Sequence, residues 1–178
     1  MAKEIQLIHT GRVWKFGDQI NTDLIFPATA FHLKGKERAS MAFHAIRPGW
    51  ATQVKQGDIL IGGQNFGLGS GRPVGSMLRD CGIVGLVAES INGLCLRNCV
   101  NFSLPGIDCP GISAAFEEGD VARIDFMSGK VENVTRGTSL QGKPLERLLA
   151  EIVAAGGVIP MLVQEGYIEP EPTEAKET

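Results

Sequence analysis

The sequence predicts a mixed α/β domain with a parallel core and an antiparallel accessory hairpin. Three observations carry this. First, short apolar runs alternate with helix-period segments through the middle of the chain, from Ile59-Leu60-Ile61 to about residue 99. Strand–helix–strand–helix order implies parallel strands joined by right-handed crossovers. Second, beyond residue 120, Val121-Ile124-Phe126 and Val131-Val134 flank a Ser128-Gly129 turn, the pattern of a β-hairpin. Third, 178 residues with 43% hydrophobic and 21% charged suit one domain able to bury a core.

Taken in chain order, residues 4–16 read as strand–turn–strand, with Gly11 breaking the run between Ile5-Leu7-Ile8 and Val13-Trp14. A polar turn over 17–23 leads to Leu24-Ile25-Phe26, an apolar strand that Pro27 should stop. Residues 28–40 read as a loop, and 40–46 as a short helix ending before Pro48. Ile59-Leu60-Ile61 is a buried strand, followed by a Gly-rich loop over 62–72. Pro73 suits the first turn of a helix, where its missing N–H costs nothing, and Val74, Met77 and Leu78 share one face. Gly82 suits that helix's C-terminal cap, and Ile83–Ala88 is a second buried strand. A second helix covers about 90–99. Pro144 opens a third, through about Ala155, with Leu145, Leu148, Leu149 and Ile152 on its buried side and Gly156-Gly157 at its end. Residues 1–168 form the domain; 169–178 read as a disordered acidic tail by composition.

Formal charge is −3, so no basic field marks the chain for nucleic acid. No run approaches the ~20 apolar residues of a membrane span, and the N-terminus lacks the apolar region of a secretory signal. The chain is expected to be cytoplasmic, with no membrane partner. Cys81, Cys95, Cys99 and Cys109 should then be thiols. Cys95 and Cys99 are four apart on a helix; without a nearby His they suit small buried residues better than a metal site.

The most informative stretch is Asn65-Phe66-Gly67-Leu68-Gly69-Ser70-Gly71-Arg72-Pro73, which joins a buried strand to a helix start. Backbone N–H groups at a helix N-terminus lack internal partners, and the helix dipole favours an anion there. Gly67, Gly69 and Gly71 permit close backbone approach, Arg72 offers a fork for a carboxylate, and Ser70 stands beside that anion. The dinucleotide pattern fails, because Arg72 stands where its last glycine belongs; the P-loop fails, because the stretch has no Lys. A carboxylate site and a plain glycine turn with a capping Ser and a surface Arg remain the two readings of this loop.

Several segments in order resemble the small subunit of isopropylmalate isomerase and its relatives in the aconitase superfamily. They are Gly11–Asp18, Ile20–Pro27, Gly57–Leu60, Asn65–Ser70 with Arg72, Arg97–Asn101 and Leu104-Pro105, within a similarity spanning about residues 8 to 165. The resemblance implies a swivelling β/β/α domain. It implies a larger partner chain carrying a 4Fe-4S cluster, and reversible dehydration of a hydroxy di- or tricarboxylic acid. 3-Isopropylmalate leads as substrate, with homoaconitate, methylmalate and dimethylmalate as alternatives. Ser70 matches the family's proton-abstracting serine and Arg72 its carboxylate-binding arginine.

The usual family loop runs Gly-Ser-Ser-Arg-Glu-His, whereas this chain has Gly69-Ser70-Gly71-Arg72-Pro73-Val74. A non-catalytic dicarboxylate-binding relative is the alternative that this change motivates. The family's specificity loop tends to carry Tyr-Leu-Arg; here it is Thr29-Ala30-Phe31-His32-Leu33-Lys34. Phe31 and Leu33 are placed to meet an alkyl group, and His32 or Lys34 a distal carboxylate. Asp18, Asn21, Thr22 and Asp23 either line the cleft or form turns. Arg97, Asn98 and Asn101 are either polar anchors or a helix end tied to neighbouring backbone.

Overall fold

The computed structural model describes residues 5–170. Its centre is a seven-stranded sheet in the order β4-β3-β2-β1-β5-β6-β7. Strands β1 (Ile8–Lys15), β2 (Asp58–Gly62), β3 (Ile83–Ala88) and β4 (Gly106–Asp108) run parallel. On the other side of β1 come the antiparallel β5 (Val121–Asp125), β6 (Lys130–Asn133) and β7 (Thr138–Gln141). The parallel core and the Ser128-Gly129 hairpin stand as the sequence predicts, but the hairpin is two-thirds of a three-stranded meander. Thr138–Gln141 has a single half-buried side chain, Leu140, so its edge position left no alternation to read.

Side chains alternate across the parallel strands. Trp14, Leu60 and Leu86 enter one apolar cluster; Val13, Ile59, Ile61 and Val87 enter the other. Helices cover both faces, as parallel strands require. The first face is covered by α2 (Gly35–Ser40), α3 (Trp50–Gln53) and α4 (Val74–Cys81), and α5 (Gly93–Asn101) contributes Cys95 and Cys99 to it. On the second face α6 (Ile112–Ala115) and α7 (Arg147–Ala154) bury Ile112, Ala150 and Val153.

Several local expectations are corrected. Gly11 does not break β1; the strand runs through it. A Cβ there would lie 1.9 Å from the Gly57 carbonyl oxygen, so the glycine permits a close backbone approach instead of a turn. Leu24-Ile25-Phe26 is not a strand. Asn21 accepts the Asp23 N–H at 2.8 Å and caps helix α1 (Thr22–Ile25), and a 3-10 turn over Ala28–His32 follows Pro27. A short apolar run cannot by itself tell strand from helix, and the cap decided it. The expected loop 28–40 therefore holds that turn and α2, while 41–46 is a series of turns. The C-terminal helix begins at Arg147 and not at Pro144. Leu145 is buried ahead of it, Leu148 points to solvent at 61% exposure, and Leu149 and Ile152 are half-buried. Beyond Gly156-Gly157 an unforeseen helix α8 (Val158–Gln164) buries none of its residues. Of the acidic tail, Glu169 and Pro170 are exposed and the rest lies outside the described residues.

Candidate functional site

The chain leaves the carboxyl ends of β1, β2 and β3 through three segments that come together: residues 16–22, the Gly-rich loop, and residues 89–92. Ligand sites of parallel sheets form at that end. The three segments are laced by backbone hydrogen bonds. Gln19 N–H donates to the Gln64 carbonyl at 2.8 Å, Gly67 N–H to Ile20 at 2.7 Å, and Thr22 N–H to Leu68 at 2.8 Å. On the other flank Phe66 N–H donates to Ser90 O at 2.9 Å, Asn92 N–H to Phe66 O at 2.8 Å, and Asn65 N–H to Ser90 Oγ at 2.8 Å. Phe66 itself is fully buried and nails the loop to the core. Asp18 serves the lacing, since its Oδ1 accepts the Gln64 N–H at 2.7 Å. It thereby ties residues 16–22 to the Gly-rich loop, a link across 46 residues.

Ser70 emerges at the tip of this clamped loop. It is exposed, as are Gly69 and Gly71. Among the described residues its hydroxyl has no hydrogen-bond partner, and the amides of Gly69, Ser70 and Gly71 donate to no protein acceptor. The capping-serine reading of the loop is therefore overturned: the residue at the start of α4 is Pro73, with no side-chain cap. The reading of the helix terminus as anion receiver also changes. The Val74 N–H donates to Arg72 O at 2.8 Å and the Gly75 N–H to Asn98 Oδ1 at 2.9 Å, so these amides are already engaged. Among the described residues the donors left for an anion are the Ser76 amide in the first turn and the amides of Gly69, Ser70 and Gly71 upstream, together with Arg72.

Arg72 is held on three sides. Its Nε donates to Asp23 Oδ1 at 2.5 Å, its Nη1 to the Phe26 carbonyl at 3.2 Å, and its guanidinium lies 5.5 Å from the Phe31 ring centroid. Phe31 leans on the buried Phe26 ring at 4.9 Å yet is 56% exposed. Nη2 has no protein acceptor among the described residues, so the outer edge of the guanidinium can still receive a carboxylate oxygen.

Of the residues singled out from sequence, Ser70, Gly69, Gly71, Arg72, Asp23 and Phe31 come together here. Thr22 comes close but is buried: a Cβ on Gly69 would lie 3.0 Å from its Oγ1, so Thr22 supports the loop from below. His32 and Lys34 are exposed, and among the described residues neither has a side-chain hydrogen bond or ion pair to the cluster. Arg97 is exposed on α5, while Asn98 is tied to neighbouring backbone. Ser90 and the Phe26 carbonyl were not singled out. Ser90 lies 25 residues from Asn65, and a backbone carbonyl has no sequence signature.

The four cysteines are free and buried. Burial pushes the Cys81 thiol up to about 12 and the Cys109 thiol to about 11, and the hydrogen bond with Cys95 raises Cys99. Cys81, Cys99 and Cys109 are thereby held as unreactive thiols, since reactivity and metal binding need the thiolate. Among the described residues no three His, Cys, Asp or Glu side chains converge to hold a metal.

No protein-family model matches the chain. Individual relatives do. It is 41% identical over 156 residues to the isopropylmalate/citramalate isomerase small subunit of Methanocaldococcus jannaschii, covering 85% of this chain and 92% of the relative. It is 35% identical over 160 residues to 3-isopropylmalate dehydratase small subunit 1 of Methanopyrus kandleri, covering 88% and 93%. It is 37% identical over 153 residues to the methanogen homoaconitase small subunit of Methanothermobacter thermautotrophicus, covering 84% and 87%. A crystal structure of 3-isopropylmalate dehydratase from M. jannaschii matches the fold with a TM-score of 0.82 at 30% identity, over 89% of this chain and 95% of that one.

Fold, loop and relatives together define a class: the small subunit of a hydro-lyase of the dehydratase/isomerase kind. Within that class the chain belongs to the 3-isopropylmalate dehydratase small-subunit family.

Proposed function

We propose that this chain is the small half of a two-chain 3-isopropylmalate dehydratase, which interconverts 2- and 3-isopropylmalate by removing and restoring water. The observation that carries the reading is Ser70: an unpartnered hydroxyl at the exposed tip of a loop clamped at its base, next to free amides and to Arg72. The relatives named for this reaction support it. In this reading a larger subunit covers the loop and completes the site. A cytoplasmic location belongs to the same reading, with four free thiols in support.

In this reading an iron-sulfur cluster is carried by the larger subunit; the buried cysteines of this chain do not fit one. When bound, it supplies a Lewis acid for the hydroxyl that leaves. The residues of this chain bind and move a proton. Arg72 fixes a substrate carboxylate through its outer edge, while Asp23 and the Phe26 carbonyl hold the guanidinium in place. The Ser70 hydroxyl, deprotonated, accepts the proton from the carbon beside that carboxylate and returns it in the reverse direction. A serine oxygen is a poor base in water. The positive field of Arg72 and the loop amides favours its anion, and exclusion of water by the partner strengthens that field.

Phe31 supports an alkyl-bearing substrate, since it sets a largely exposed aromatic face against the carboxylate-binding arginine. His32 and Lys34 remain proposed contacts for a second carboxylate from the same turn-and-helix segment. The test is anaerobic co-expression with the large subunit and assay against isopropylmalate, citramalate, methylmalate, dimethylmalate and homoaconitate. A colourless protein that binds dicarboxylates without turning them over would replace this reading with the non-catalytic one. Preference for homoaconitate would move the substrate to the family's tricarboxylate branch.

A further inference from the structure

Helix α5 contributes no polar side chain to the exposed cluster, yet it forms the floor beneath the Ser70 loop and sets the exposed Leu94 beside Gly71. A Cβ on Gly67 would stand 2.2 Å from Cys95 Sγ, and one on Gly71 would lie 3.7 Å from Leu94 Cδ2. At Gly75, three residues past Arg72, a Cβ would fall 2.7 Å from Cys99 Cα and 2.8 Å from Asn98 O. The start of α4 therefore rests directly on the α5 backbone. Helix α4 also begins without a cap of its own. Pro73 has neither an N–H nor a side-chain acceptor, and the first amide turns back to Arg72 O. The second amide, that of Gly75, is received at 2.9 Å by Asn98 Oδ1 from α5.

We infer that Asn98 is a positioning residue for the dehydratase reaction: it caps α4 from the neighbouring helix and so sets where Ser70 and Arg72 stand. The inference rests on the proposed roles of those two residues. The physical reason is direction. The loop's lacing to residues 16–22 and 89–92 ends at Leu68, and Arg72 is then anchored through its side chain. Between these points Ser70 is free, so the downstream end of the loop takes its position from the first turn of α4. Arg38 Nη2 ties that turn to α2 through Ser76 Oγ at 3.1 Å, and Asn98 is the side chain that ties it to α5, directly beneath the loop. An acceptor at residue 98 does so, whether amide or carboxylate, whereas an alanine leaves the Gly75 amide unmet and the turn free to shift. A misplacement of about 1 Å costs up to ~10²-fold in rate.

The experiment compares Asn98→Ala and Asn98→Asp in the reconstituted two-chain enzyme, with Asn133→Ala as control. Asn133 binds the Ala115 carbonyl and Asp120 in the β-meander, so its loss tests destabilisation without touching the loop. Expected are a kcat lower by ~10- to 100-fold with KM little changed in Asn98→Ala, kcat largely restored in Asn98→Asp, and no kcat loss in Asn133→Ala at a comparable fall in melting temperature. Amide NMR of the isolated chain gives a second readout. The Ser70 and Arg72 signals should move in Asn98→Ala and return in Asn98→Asp, along with slow exchange at Gly75. Unchanged kcat in Asn98→Ala with an unprotected Gly75 amide overturns the inference. So does an Asn98→Asp variant that protects Gly75 yet stays as slow as alanine. If the wild-type pair turns over no substrate, the proposed function fails. The inference is then decided by the NMR alone, where unmoved Ser70 and Arg72 signals sink it.

Discussion

Replacing Gly67 by Ala should damage the site without touching any residue proposed to meet substrate. Gly67 has φ +76°, a region that costs an L-residue ~1–2 kcal/mol. The new methyl would also overlap Cys95, at 2.2 Å from Sγ and 2.4 Å from Cβ. Cys95 has little room to yield, being buried on α5 with Cys99 Sγ 4.0 Å away. Overpacking of this kind costs ~1–3 kcal/mol. Together the terms give ~2–5 kcal/mol, a fall in melting temperature of roughly 4–20 °C at ~2–4 °C per kcal/mol for a domain of this size. Thermal melts of the isolated chain measure it, and the reconstituted enzyme should lose turnover in parallel. The background Cys95→Gly separates the two causes. There the overlap is gone, and the added cost of Gly67→Ala should shrink to the ~1–2 kcal/mol of backbone strain. A single mutant melting within about 1 °C of wild type would refute the reasoning, as would an equal penalty in both backgrounds.

Ser70→Ala should leave stability unchanged, since the hydroxyl holds nothing in place, and lower turnover by ~10²–10⁴, the span for loss of a general base. Near wild-type steady-state rates would remove Ser70 from the mechanism. Arg72→Lys should act mainly on KM, raising it ~10- to 100-fold for the loss of a charge-assisted bond of ~1.5–3 kcal/mol; an unchanged KM counts against the carboxylate grip. Asp120 has a carboxyl lowered from 3.8 to about 2, chiefly by the Glu117 amide, then by Asn133 and Arg136. Because the folded value lies below the unfolded one, its contribution is present above pH 4 and disappears as pH falls toward 2. Acid titration of stability should therefore be shallower over that interval in Asp120→Asn than in wild type; identical acid slopes would contradict the assignment.

The core of this domain was legible because its signals are local. Ile59-Leu60-Ile61 and Ile83–Ala88 are continuous apolar runs buried on both faces, and the Ser128-Gly129 turn punctuates two strands visibly. Where the reading failed, the spacing of apolar residues did not carry the deciding feature: a close approach from afar, a local cap, or the lack of a covering element. Gly11 looked like a break but faces the Gly57 carbonyl 46 residues away. Leu24–Phe26 looked extended, but the Asn21 cap turned it into helix. Leu148 fits an apolar helical face by spacing, yet among the described residues no element packs over it.

For the site, the chain's own order of residues was enough to place a serine and an arginine on a glycine loop before a helix, and to connect that loop with a family. It could not say which donors stay free. That depended on Asn98 arriving from another helix to take the Gly75 amide, and on Asp23, Phe26 and Phe31 closing around Arg72 from 41 to 49 positions upstream. Periodicity and motif are written in neighbouring residues. Hydrogen-bond satisfaction is settled only when segments far apart in the chain are brought to about 3 Å of one another.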